Sequence, residues 1–61
     1  MKYAIYFTWN DGTEDTFNVD TAKYRDLNIK NMIELDKFRC IAYRPIYKSG
    51  EYGQRTVVYS N

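Results

Sequence analysis

Residues 3–19 read YAIYFTWNDGTEDTFNV, and the way this stretch turns back on itself decides the fold. Tyr3, Ile5, Phe7 and Trp9 alternate with Ala4, Tyr6 and Thr8, the period of a strand with one face buried. Asn10-Asp11-Gly12 follows, a turn signal in which Asn and Asp side chains bond nearby backbone and Gly accepts a positive φ. A three-residue loop with Gly12 left-handed sets Ile5 opposite Phe17 and Tyr3 opposite Val19. A two-residue turn at Asp11-Gly12 would set Ile5 against Asn18 and mix polar with apolar on one face. The three-residue loop is therefore expected, with Thr13–Val19 as the return strand.

Asp20 or Thr21 then offers a helix N-cap, and residues 21–36 contain neither Gly nor Pro. Ala22, Ile29, Met32 and Ile33 share one helical face, while Tyr24, Leu27 and Leu35 fall on roughly the opposite side. A surface helix needs only one apolar stripe. Either this helix bends near Asn28, or Tyr24 and Leu35 fold over the sheet edge, or the second stripe meets another molecule.

Strand-forming residues return from Lys37 to Lys48, and Ser49-Gly50 reads as a two-residue hairpin turn before a last strand, Gln54–Tyr59. In that register Tyr47 faces Tyr52, Arg44 faces Arg55, Ala42 faces Val57 and Ile41 faces Val58. Two opposed arginines are unfavourable. A bulge near Pro45 or Gly53 is the expected remedy, and an anion between the two guanidinium groups is the other. The order strand, strand, helix, strand, strand gives a single α+β domain spanning residues 1–61. Its expected form is a four-stranded antiparallel sheet with one helix on one face, closed by pairing of the first and last strands. The open face should carry Ala4, Tyr6, Thr8, Glu14, Thr16 and Asn18. For the second hairpin, alternation leaves the assignment of faces undecided.

Composition narrows the chemistry. The chain has no histidine, one cysteine and one proline, against seven tyrosines, three phenylalanines and one tryptophan. Missing histidine removes the commonest general base and metal ligand, and a lone Cys40 can form no internal disulfide. Glu34 and Asp36 could pair for acid–base work, but a solvated helix end explains them better; no phosphate loop is present, and Asp11, Glu14 and Asp15 do not follow a calcium-loop pattern. No catalytic residue, cofactor or metal is expected, so the chain reads as a binding protein and not an enzyme. Met1 and Lys2 run directly into a strand, no apolar segment would span a bilayer, and a single thiol suits a reducing compartment; a cytoplasmic location without membrane contact is expected.

Charge is divided along the chain. Residues 1–36 hold four basic and seven acidic side chains, and residues 37–61 hold five basic and one acidic. Two kinds of surface follow. Tyr6, Tyr24, Leu27 and Leu35 are candidates for a protein interface, with self-association as a homodimer among its forms. Arg39, Tyr43, Arg44, Tyr47, Lys48 and Arg55 are candidates for a single-stranded nucleic-acid surface on the second hairpin, arginines on phosphates and tyrosines on bases.

The stretches Thr21–Ile33 (TAKYRDLNIKNMI) and Ile46–Gly53 (IYKSGEYG) resemble segments of small uncharacterised proteins of phages, prophages and conjugative elements of Gram-positive bacteria. This likeness contains no functional motif. It implies a mobile-element setting, in which one-domain proteins bind host machinery or nucleic acid, and assigns no role to any residue.

Overall fold

The computed structural model describes residues 1–61. Its elements are β1 (Lys2–Trp9), β2 (Glu14–Val19), α1 (Ala22–Leu35), β3 (Phe38–Ile46) and β4 (Thr56–Ser60). The strands form one antiparallel sheet in the order β2-β1-β3-β4. The expected ββαββ domain is present.

The first hairpin keeps the register that its apolar pattern demands, with Ile5 opposite Phe17 and Tyr3 opposite Val19. Its loop is Asn10-Asp11-Gly12: the Trp9 N–H donates to the Thr13 carbonyl at 2.8 Å, and the Gly12 N–H to the Trp9 carbonyl at 2.9 Å. Gly12 has φ +93°, where an L side chain would be strained. Asp11 Oδ1 fastens the exit by accepting from the Thr13 N–H at 2.9 Å and the Thr13 hydroxyl at 2.6 Å.

Thr21 caps α1, its hydroxyl oxygen accepting the Tyr24 N–H at 3.2 Å. Asp36 ends the helix in a left-handed conformation, its N–H donating to the Ile33 carbonyl at 3.1 Å. The helix runs unbroken past Asn28 and lies over β1, β2 and β3.

The central pair is β1 and β3. Pairing of the first and last strands does not occur; β4 is an edge strand on the far side of β3. The reason lies in burial on both faces. Ile5 and Ile41 are fully buried beneath the helix, while Ala4 and Ala42, on the opposite face, are 2% and 0% exposed. Burying each isoleucine contributes about 1.5–3 kcal/mol. The strands that bring both kinds of position together belong in the middle, and β4, with Val57 and Val58 at 57% and 40% exposure, belongs at an edge.

Ile29, Met32 and Phe38 complete the core with Ile5 and Ile41, and Phe7, Phe17, Val19, Tyr43 and Tyr59 pack around it. One end is aromatic: Phe7 meets Phe38 edge-on at 5.3 Å between ring centres, and Trp9 lies 4.7 Å from Phe38.

The second hairpin departs from the expected register. Its turn is a three-residue Lys48-Ser49-Gly50 loop, with the Tyr47 N–H on the Glu51 carbonyl at 2.8 Å and the Gly50 N–H on the Tyr47 carbonyl at 2.9 Å. Gly50, at φ +89°, repeats the role of Gly12. Ile46 therefore faces Tyr52, and Tyr47 does not. An extra residue between Tyr52 and Thr56 restores Ala42 opposite Val57, and a second irregularity at Val58 places Ile41 opposite Tyr59. The expected bulge near Pro45 and Gly53 is there, and Arg44 and Arg55 are not ladder partners.

Candidate functional site

The sheet separates two surfaces of different chemistry. On the helix side, α1 turns Ile29 and Met32 inward, but Ala22 is exposed and Ile33 remains 39% exposed. Arg25 takes the place those residues were expected to fill. Its guanidinium lies over the rings of Tyr3 and Tyr43, 4.6 Å and 4.5 Å from their centres, and its Nε donates to Asp26 Oδ1 at 2.9 Å. The Asp26 hydrogen bond, opposed by partial burial, raises the Arg25 pKa still further above its already high ordinary value. This cation ties the helix to β1 and β3 through two ring faces.

Because α1 stops short of β4, an open groove of about 470 Å³ runs between them, lined by Arg25, Ile29, Ile33, Tyr43 and Val58 among others. On the outward side of the helix, Tyr24, Leu27 and Leu35 are 55%, 49% and 58% exposed. They do not fold over the sheet edge. Three large apolar side chains stand in solvent on one stripe of a continuous helix.

The other side of the sheet has no helix over it. The first hairpin presents Ala4, Tyr6 and Thr8 there, as alternation requires. The register with β3 adds Ile46, Arg44, Ala42 and Cys40 opposite Lys2, Ala4, Tyr6 and Thr8. Ala4 and Ala42 form its floor, overlaid by longer side chains. Arg55 stacks on Tyr6, its Cζ 4.6 Å from the ring centre. Arg44 stands over Tyr52 at 5.2 Å, with Nε donating to the Gly53 carbonyl at 2.9 Å. Neither arginine has a carboxylate partner; the one ion pair in the molecule is Arg25–Asp26 on the other side.

The candidate protein-interface residues are thus divided. Tyr24, Leu27 and Leu35 share the helix exterior, whereas Tyr6 lies on the opposite sheet face, half-buried beneath Arg55. The candidate nucleic-acid residues are divided as well. Arg44 and Arg55 share the open face. Tyr43 is on the helix side under Arg25, and Tyr47 lines a depression there with Tyr3 and Arg25. Lys48 sits in the second turn, and Arg39 is at the far end of β3, donating from Nη2 to the Asn10 carbonyl at 2.8 Å. Tyr52 is the residue that sequence reasoning passed over. Its signal was the Ile46-to-Gly53 register, which a three-residue turn shifts by one position.

Cys40 is partly buried on the open face, opposite Thr8 and Ser60, and is not a core side chain. Asp11 is held below its ordinary pKa of 3.8, first by the Thr13 hydroxyl and then by the Thr13 N–H. No group of three or more Cys, Asp or Glu side chains is placed to hold a metal ion, and no helix is long and apolar enough to cross a membrane. No family model, curated protein or solved structure matches this chain.

Proposed function

We propose that this chain is a non-enzymatic accessory protein of a phage or other mobile element, acting in the cytoplasm by binding a protein partner through the outer stripe of α1. A second copy of the chain is one such partner. The observation that carries this reading is the exposure of Tyr24, Leu27 and Leu35 at 55%, 49% and 58%. A domain this small has little apolar surface to spare, and leaving three large side chains in water without a partner weakens its solubility and contributes nothing to its core. The setting rests on the likeness of Thr21–Ile33 and Ile46–Gly53 to mobile-element proteins. The non-enzymatic character rests on the side-chain inventory, which offers no histidine and no arrangement of nucleophile with base.

The test is Leu27→Lys combined with Leu35→Lys. Circular dichroism and thermal melting should match the wild type, because neither side chain is buried, while self-association measured by light scattering, or capture of proteins from a Gram-positive host extract, should be lost. A double variant that unfolds would show that the stripe is structural. A variant that folds and associates as the wild type does would remove the stripe as the interface.

A further inference from the structure

The open face carries a second surface, independent of the helix stripe. We infer that Arg44, Tyr52, Arg55 and Tyr6 form a platform for single-stranded nucleic acid. Three observations converge. First, the two arginines are held flat over tyrosine rings, Arg55 on Tyr6 and Arg44 on Tyr52. Stacking of this kind fixes a guanidinium in place while leaving its outer face and N–H edges open. Arg44 uses Nε on the Gly53 carbonyl, and its Nη groups stay free. Arg55 makes no hydrogen bond through its guanidinium.

Second, the charge here is uncompensated. Neither arginine is in an ion pair: Glu14 shares this face but sits at its β2 edge, accepting from the Thr8 hydroxyl at 3.5 Å, and the other carboxylates lie on or beside β2 and α1 or, for Glu51, just after the second turn. Third, the irregular backbone of the second hairpin produces the arrangement. Continued without interruption from the Ile46–Tyr52 bridge, the ladder would set Arg55 opposite Tyr43 on the helix side; the extra residue between Tyr52 and Thr56 moves it to the open face, where it lies over Tyr6 of β1. The shift builds the platform by bringing Arg55 to the face that Arg44 occupies, with each guanidinium spread over its own tyrosine ring.

Single-stranded nucleic acid is the occupant these features select. Phosphates match the free N–H edges, and unstacked bases match the half-exposed Tyr52 ring and the outer guanidinium faces. A duplex offers no base faces, and a long one would meet the acidic β2 edge. An acidic peptide would satisfy the arginines but leave the rings unused.

The test is fluorescence anisotropy with labelled oligothymidylate, a duplex of equal length and inorganic polyphosphate, each across a range of salt. Oligothymidylate should bind at low salt, and Arg55→Gln should weaken it and flatten the slope of log affinity against log salt by about 0.7. Tyr52→Ala should cost about tenfold without changing that slope, since it removes stacking and no charge. Arg39→Gln, off this face, should change neither. Four results would overturn the inference: no binding of oligothymidylate at low salt, equal losses for Arg39→Gln and Arg55→Gln, stronger binding of the duplex, or polyphosphate binding as tightly as oligothymidylate. Circular dichroism of each variant separates loss of the platform from loss of the fold.

Discussion

The two hairpins use the same turn and then diverge. Each closes on a three-residue loop whose glycine sits near φ +90°, Gly12 in the first and Gly50 in the second. From there the first hairpin pairs without interruption from Thr8 and Glu14 to Tyr3 and Val19. The second makes an isolated bridge at Ile46 and Tyr52, breaks, resumes at Tyr43 and Thr56, and shifts again at Val58. Both hairpins supply core, Ile5 from the first and Phe38 and Ile41 from the second. The irregular one brings Arg55 and Tyr52 to the exposed face beside Arg44. Departures from regular pairing gather where a binding surface is inferred, which is where local rules are usually broken.

The largest expected effect tests whether the two hairpins are one cooperative unit. Ile5 and Ile41 are both fully buried, on adjacent central strands, one from each hairpin. Ile5→Ala and Ile41→Ala should each destabilise by about 2–5 kcal/mol in denaturant titration. A domain of this size has only about 3–5 kcal/mol to lose, so either variant should be largely unfolded throughout. If Ile41→Ala melts β3 and β4 while the first hairpin keeps its amide protection, the hairpins are separable and the comparison is between two folding units.

Smaller effects distinguish turn from bulge. Gly12→Ala and Gly50→Ala should cost nearly the same, about 1–2 kcal/mol, because both force a side chain into the left-handed region and neither meets a close neighbour. Gly53→Ala should cost up to about 3 kcal/mol for a different reason. A Cβ there would lie 2.5 Å from Pro45 Cγ and 2.7 Å from the Tyr47 hydroxyl. It should also disturb Arg44, which is hydrogen-bonded to the Gly53 carbonyl. Thermal melts of the three variants rank these costs, and a Gly53→Ala melt equal to wild type would mean that the bulge is not tightly packed.

The smallest effect belongs to the first turn alone. Asp11 has its pKa depressed in the folded state by Thr13, so it contributes stability in full above its ordinary value of 3.8. That contribution is lost as the pH falls through the lowered value. The stability gap between wild type and Asp11→Asn should therefore narrow as the pH drops below 3.8. The second turn has no equivalent carboxylate interaction, and Glu51→Gln serves as its control. An unchanged gap for Asp11→Asn across that range would show that Thr13 is held by the loop backbone and not by the carboxylate.

Legibility followed the strength of the local pattern. Period-two alternation with apolar residues on one side left the first hairpin a single sensible register, because slipping it by one residue would have turned Ile5 and Phe7 into solvent. The class of the fold was equally plain, and the helix cap was narrowed to Asp20 or Thr21, of which Thr21 serves. On the second hairpin, apolar residues occur on both faces of β3, so alternation could not say which face met the helix. The clash between Arg44 and Arg55 announced a bulge without locating their side chains. On α1, spacing identified Tyr24, Leu27 and Leu35 as a separate stripe, yet it put the exposed Ile33 and Ala22 on the inner face and left out Arg25, which packs on the sheet. A hydropathy pattern does not anticipate a half-buried cation stacked on Tyr3 and Tyr43.

Sequence alone was enough for the elements, the first turn and the poverty of catalytic groups, since these depend on residues close together in the chain and on side-chain inventory. Strand order, the edge position of β4 and the gathering of Arg44, Tyr52, Arg55 and Tyr6 came only with tertiary structure. Those features depend on which distant surfaces cover one another, and that choice is made by the whole core at once: Ile5 with Ile41 beneath the helix, Ala4 with Ala42 on the other face.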